Sequence, residues 1–79
     1  MDRLFYYIEE VNRVEVVLNG TVANVDKEMN LWEFLLSKEL DLETIIVEHN
    51  EVIVKKQEWK TIILQDQDRL EVLKFVGGG

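Results

Sequence analysis

The chain has 79 residues, enough for one small domain around a single apolar core. Aliphatic and aromatic residues make up 47% of it, which excludes a disordered tail, and the lack of any Cys excludes disulfides, thiol nucleophiles, Cys-based zinc sites and iron–sulfur clusters. Nine basic against sixteen acidic residues leave a net charge of −7, which disfavours nucleic acid and anionic membrane surfaces and favours a basic protein partner.

Residues 1–12 form an extension that reads two ways. Leu4, Phe5, Ile8 and Val11 recur at helical spacing, whereas Phe5-Tyr6-Tyr7-Ile8 suits a strand. The start lacks a long apolar region and a small-residue cleavage site, and no apolar run in the chain approaches the ~20 residues that span a bilayer. The expected compartment is the cytoplasm.

From Arg13 the pattern sharpens. Val14-Glu15-Val16-Val17-Leu18 is rich in β-branched residues and runs into Asn19-Gly20, two residues that tolerate the positive φ of a type I′ hairpin turn. Residues 21–25 are the returning strand, and Asp26-Lys27-Glu28-Met29 is a polar connection. Asn30 with Glu33 three residues on makes a capping box. Leu31, Phe34 and Leu35 then share one helical face, with Leu36 and Leu40 widening it, so the helix is expected over 31–40. Trp32 reads either as widening that face or as exposed on the helix.

Three β elements follow: 44–48, Val52-Ile53-Val54 across a turn at Asn50-Glu51, and 61–64 after a single helical turn around Gln57-Glu58-Trp59-Lys60. Trp59 is expected in the core or over the sheet edge. Gln65-Asp66-Gln67-Asp68 is a polar turn, and 69–76 is the last strand. The fold class is α+β, with one main helix laid across a mixed sheet of four to five strands. Glu9-Glu10 and Asp66 with Asp68 read as solvated surface charges. His49, the single His, has no catalytic partner nearby in sequence and reads as an ordinary strand residue.

Alternation along the last strand points Leu70 and Val72 inward and Glu71, Leu73 and Phe75 to the opposite sheet face. No second helix is available to cover that face. Apolar residues there mark either a partner surface or a face covered by Phe5, Tyr6 and Tyr7 of the extension.

The informative end is Phe75-Val76-Gly77-Gly78-Gly79. Three glycines without a Cβ can pass through a narrow tunnel and bring a terminal carboxylate close to another protein's active site. Such a carboxylate is unreactive until activated, most simply as an acyl-adenylate formed from ATP. Cys, a serine-nucleophile motif, a phosphate loop and a carboxylate dyad are all missing, so the chain reads as a carrier and not an enzyme.

From Arg13 onward the sequence resembles the ThiS family, the sulfur carriers of thiamine biosynthesis. The resemblance rests on Asn19-Gly20, on the leucine-rich helix, and on Val47-Glu48, Asn50, Ile53-Val54 and Trp59, which match a Val-Glu-x-Asn-x-x-Ile-Val-x-x-x-x-Trp pattern. It also rests on Asp68-Arg69-Leu70-Glu71-Val72 followed by Val76-Gly77-Gly78-Gly79. The resemblance implies a ubiquitin-like β-grasp domain over 13–76 with a flexible glycine tail over 77–79, and with the first and last strands side by side at the centre. It also implies that Gly79 is adenylated by an E1-like, ThiF-type enzyme using ATP and magnesium, with no cofactor bound by the carrier itself. A sulfur donor protein would convert the adenylate to a thiocarboxylate, and a ThiG-type thiazole synthase would receive the sulfur. Leu73, Phe75 and Val76 are the expected partner contacts, and Gly77 and Gly78 the tail. Molybdopterin-synthase small subunits and other sulfur carriers share this chemistry, and ubiquitin-like modifiers share the diglycine end. Where the family commonly has Gly, this chain has Glu39, Glu51 and Gln67, and Lys55 replaces a frequent Pro; these departures bear on turns and not on the tail.

Overall fold

The computed structural model describes residues 12–75. The expectations for the extension, including Glu9-Glu10, and for Val76, Gly77, Gly78 and Gly79 lie outside the described residues.

Strands β1 (Arg13–Leu18) and β2 (Thr21–Asp26) form an antiparallel hairpin. Its two-residue loop has φ of 48° at Asn19 and 83° at Gly20, the signature of a type I′ turn. Helix α1 (Leu31–Ser37) follows. Its capping box is formed as the sequence predicts: the Glu33 N–H donates to Asn30 Oδ1 at 2.7 Å and the Asn30 N–H to Glu33 Oε1 at 3.0 Å. A short 3₁₀ turn (Leu42–Thr44) leads into β3 (Ile45–His49), and a second tight turn into β4 (Val52–Val54). A 3₁₀ segment (Lys56–Thr61) precedes the last strand, β5 (Arg69–Lys74).

The strand order is β2-β1-β5-β3-β4. β5 lies at the centre, parallel to β1 and antiparallel to β3. This is the ubiquitin-like β-grasp arrangement, with the first and last strands adjacent as expected.

One face of the sheet carries α1 and the 3₁₀ segment. Val16, Val47 and Leu70 from the strands meet Leu31, Phe34 and Leu35 from α1, with Trp59 and Leu64 closing the layer; all are almost fully buried. Each such side chain contributes roughly 1.5–3 kcal/mol relative to exposure. Trp59 also donates its indole N–H to the Val54 carbonyl at 3.3 Å, tying β4 to the core.

Three sequence expectations need correction, and one open reading is decided. The helix ends at Ser37, not near Leu40, because Glu39 takes a left-handed φ of 58° and the Lys38 and Glu39 N–H groups turn back to the Leu35 and Leu36 carbonyls. Residues 61–64 are not a strand: only Ile63 makes an isolated bridge, to Asn30, and pins the start of α1. β5 ends at Lys74, one residue before the last described position. Trp32 is half-buried, its ring 6.3 Å from that of Trp59 and beneath Lys60 Nζ at 4.7 Å, a contact that favours the cation over the indole face.

Candidate functional site: the root of the glycine tail

The site begins with how β5 is held, because the tail leaves from its end. On one side, β3 pairs with it along its full length, from His49 opposite Leu70 to Ile45 opposite Lys74. The Phe75 N–H continues the ladder to the Thr44 carbonyl at 2.9 Å. On the other side, β1 pairs only at Val17–Arg69 and Leu18–Leu70 before the chain turns away. Beyond that point the Asn19 carboxamide takes over. The Val72 N–H donates to Asn19 Oδ1 at 2.7 Å, and Asn19 Nδ2 donates to the Val72 carbonyl at 3.2 Å. A side chain thereby supplies the donor and acceptor that one more residue of β1 would have given, and the backbone of a buried residue stays paired.

The start of β5 is anchored by a second asparagine. Asn50 sits in the β3–β4 turn, with φ of 51°, followed by Glu51 at 73°. Its Oδ1 accepts from the Arg69 N–H at 2.8 Å and its Nδ2 donates to Asp68 Oδ1 at 3.0 Å. Asp68 is buried, against the expectation of a solvated charge. Its carboxylate also accepts from the Gln65 N–H at 2.8 Å and lies 2.9 Å from His49 Nε2. Burial raises the Asp68 pKa, but the hydrogen bonds from Gln65, His49 and Asn50 and the charge of His49 outweigh it, so the group ends below the ordinary carboxylate value of 3.8.

Sequence reading missed this network because its members are 18 and 19 residues apart. The one available signal was that Asn50 and Asp68 each fall in one of the two patterns shared with the family. The network is an anchor at the far end of β5. Six strand residues at about 3.3 Å each separate it from Phe75, so His49 and Asp68 stand at the opposite end of β5 from the tail root.

At the tail root the structure brings together two of the predicted contact residues. Leu70 and Val72 face the core, and Leu73 and Phe75 are exposed, as alternation requires. Leu73 stands opposite Ile46 of β3, itself exposed. The described residues therefore present an uncovered apolar patch of Ile46, Leu73 and Phe75 on the helix-free face, beside the point where the tail begins. Among the described residues, no cluster of three or more His, Asp or Glu could hold a metal ion, and no helix is long and apolar enough to cross a membrane.

The ThiS family model matches residues 16–79. The chain is 35% identical over 63 residues to the sulfur carrier protein ThiS of Bacillus subtilis, covering 78% of this chain and 96% of that one. It is also 30% identical over 66 residues to a thiazole synthase of Magnetococcus marinus, covering 84% of this chain but 20% of that protein, so it spans about a fifth of that relative's length. Among solved structures, the thiamine biosynthesis protein ThiS of Geobacter metallireducens superposes with a TM-score of 0.73 at 29% identity, covering 84% of this chain and all of that one.

Proposed function

The chain belongs to the ThiS family, and on that premise we propose that it is a sulfur carrier of thiamine biosynthesis whose reactive group is the Gly79 carboxylate. In the first step a carboxylate oxygen attacks the α-phosphorus of ATP in an E1-like, ThiF-type enzyme, with magnesium held by the nucleotide, and pyrophosphate leaves. The terminal sulfur of a donor protein's persulfide then attacks the acyl carbon of the adenylate and AMP leaves, giving an acyl disulfide; a thiol cleaves its S–S bond, releasing the thiocarboxylate and leaving the donor sulfur in a disulfide with that thiol. Thiazole synthase takes up that sulfur, and the carboxylate returns for another cycle. The choice of acceptor is supported by the matching thiazole synthases.

The carrier's own contribution is mechanical and electrostatic. The observation that carries the reading is the position of the tail root: the end of the central strand, paired to β3 as far as Phe75 and latched by Asn19, next to exposed Leu73 and Phe75. A rigid root fixes where the tail points, while glycines allow its last residues to enter a partner's active site. Leu73, Phe75 and Val76 supply apolar docking area, and Gly77 and Gly78 supply reach.

Intact-mass analysis tests the reading. The carrier is incubated with an E1-like adenylating enzyme, ATP, magnesium and a sulfur donor. Replacement of one oxygen by sulfur at Gly79 is expected, and deletion of Gly78 and Gly79 abolishes it. A ladder of lysine conjugates in place of a thiocarboxylate would make the protein a modifier, and an unchanged mass with an active enzyme would end the carrier reading.

A further inference from the structure

The helix-free face is not uniformly apolar. Two pair positions along from Ile46 and Leu73, Glu48 and Glu71 stand directly opposite each other on β3 and β5, and Ile53 of β4 stands opposite Glu48. Alternation puts these side chains on the same open face as Leu73, with Leu73 56%, Phe75 42%, Ile46 40% and Ile53 66% exposed. Like charges directly opposite across an antiparallel pair destabilise a sheet. The ion pairs among the described residues, Arg13–Asp26, His49–Asp68 and Lys56–Glu43, leave both glutamates without a counter-ion. The nearby cation on that face of β5 is Arg69, beyond Glu71 on the side away from Leu73.

A neutral surface laid over this face would bury two unpaired carboxylates, a desolvation cost that works against the surrounding apolar contacts and that a counter-charge would offset. A surface that docks on Ile46, Leu73 and Phe75 therefore gains by bringing positive charge to a defined place beside them. A guanidinium suits it best, since its planar fork can bond two carboxylates at once.

We infer that the open face recognises the tail-activating enzyme through an arginine of that enzyme seated between Glu48 and Glu71, with Ile46, Leu73 and Phe75 gripping apolar side chains around it. The inference rests on the carrier reading above and adds the determinant of partner choice. The overall charge of −7 steers the encounter, and the glutamate pair fixes its register.

Two measurements test it. In the free protein, Glu48→Gln or Glu71→Gln removes the repulsion and raises the melting midpoint by about 1–3 °C in low salt, with the gain vanishing in high salt. With the E1-like enzyme, ATP and magnesium, pyrophosphate release is followed as carrier concentration is varied. The double variant E48Q/E71Q raises KM for the carrier roughly tenfold or more, leaves kcat at saturation in place and flattens the salt dependence, while E48D/E71D keeps most of the affinity. A wild-type KM for E48Q/E71Q overturns the inference and leaves sulfur carriage standing. So does a lower KM on deleting residues 1–11, which would make that segment the occupant, or a salt-resistant dimer in sedimentation, which would make it a second copy. If the wild-type protein releases no pyrophosphate with an active enzyme, the carrier reading fails and the inference falls with it.

Discussion

The two tight hairpins of the sheet share an asparagine at the first corner and differ at the second. Asn19-Gly20 and Asn50-Glu51 both place two consecutive residues in the left-handed region, with φ of 48° and 83° in one turn and 51° and 73° in the other. In each, the asparagine carboxamide reaches across to the backbone of β5: Asn19 to Val72, Asn50 to Arg69. The same residue thus meets a local demand, since Asn tolerates positive φ, and a distant one, since its amide mimics a peptide group. The two are not equivalent. Val72 is buried in the sheet centre, whereas the Arg69 contact is exposed.

Asn19→Ala and Asn50→Ala put this difference to the sharpest test. Both impose the same left-handed strain on an alanine, so that cost cancels between them. What remains is the backbone left unpaired and, for Asn50, one bond to the Asp68 carboxylate, which the Gln65 N–H and His49 still hold. Asn19→Ala orphans the Val72 N–H and carbonyl and is expected to cost about 2–4 kcal/mol, against about 1–2 for Asn50→Ala. Urea unfolding gives both values, and equal losses would mean that Asn19 acts only through its turn. Because Asn19 latches β5 one residue before the exposed contacts begin, Asn19→Ala should also speed hydrogen exchange at the Leu73 and Phe75 amides.

The second turn has an acid-sensitive element that the first lacks. Asp68 has its pKa lowered in the fold, so its contribution is fully present above the unfolded-state value of about 3.9 and is lost as pH falls through the folded value. Asp68→Asn is expected to cost about 2 kcal/mol at neutral pH, because its amide presents a donor where Gln65, His49 and Asn50 also donate. The variant should lose less stability than the wild type on going from pH 6 into the acid range. Parallel acid limbs for the two proteins would assign acid unfolding to other carboxylates.

Much of this was legible in one sequence, for reasons visible in particular residues. The Asn30–Glu33 box, the Asn19-Gly20 hairpin and the Leu70/Val72 alternation are each decided within a few residues, where local stereochemistry leaves one choice. The β1–β5 adjacency at the sheet centre was not local: it came from the family resemblance. Asp68 shows what was lost. Its spacing among Gln65, Asp66 and Gln67 reads as a solvated turn, and only the fold brings His49 and Asn50 onto it. The helix end failed for a different reason. Leu40 continues the apolar face, but Glu39 accepts a left-handed conformation that its side chain does not advertise. Glu51 and Gln67, the other two places where the family commonly has Gly, also have positive φ, at 73° and 71°. All three departures from the family pattern therefore stand at positions whose backbone is the one glycine favours.

Gly20→Ala measures what such a position costs. A Cβ there meets no atom within 4 Å, so the loss of about 1 kcal/mol is backbone strain with no packing component. A loss well above that would show that the first turn also depends on contacts the second does not need.

Glu51→Gly is the mirror experiment. The left-handed strain carried by Glu51 is relieved, while the more flexible glycine loses more entropy on folding. The strain of about 1–2 kcal/mol is the larger of the two, so a net gain of about 0.5–1 kcal/mol is expected. Glu51 is exposed and belongs to none of the ion pairs among the described residues, so no contact is given up, and removing one negative charge from a chain of net −7 works in the same direction. Measuring the gain at low and high salt separates the two sources. The backbone share is independent of salt and should match the loss in Gly20→Ala in size, whereas a gain that disappears in high salt would mean that the second corner already fits its turn as well as the glycine fits the first.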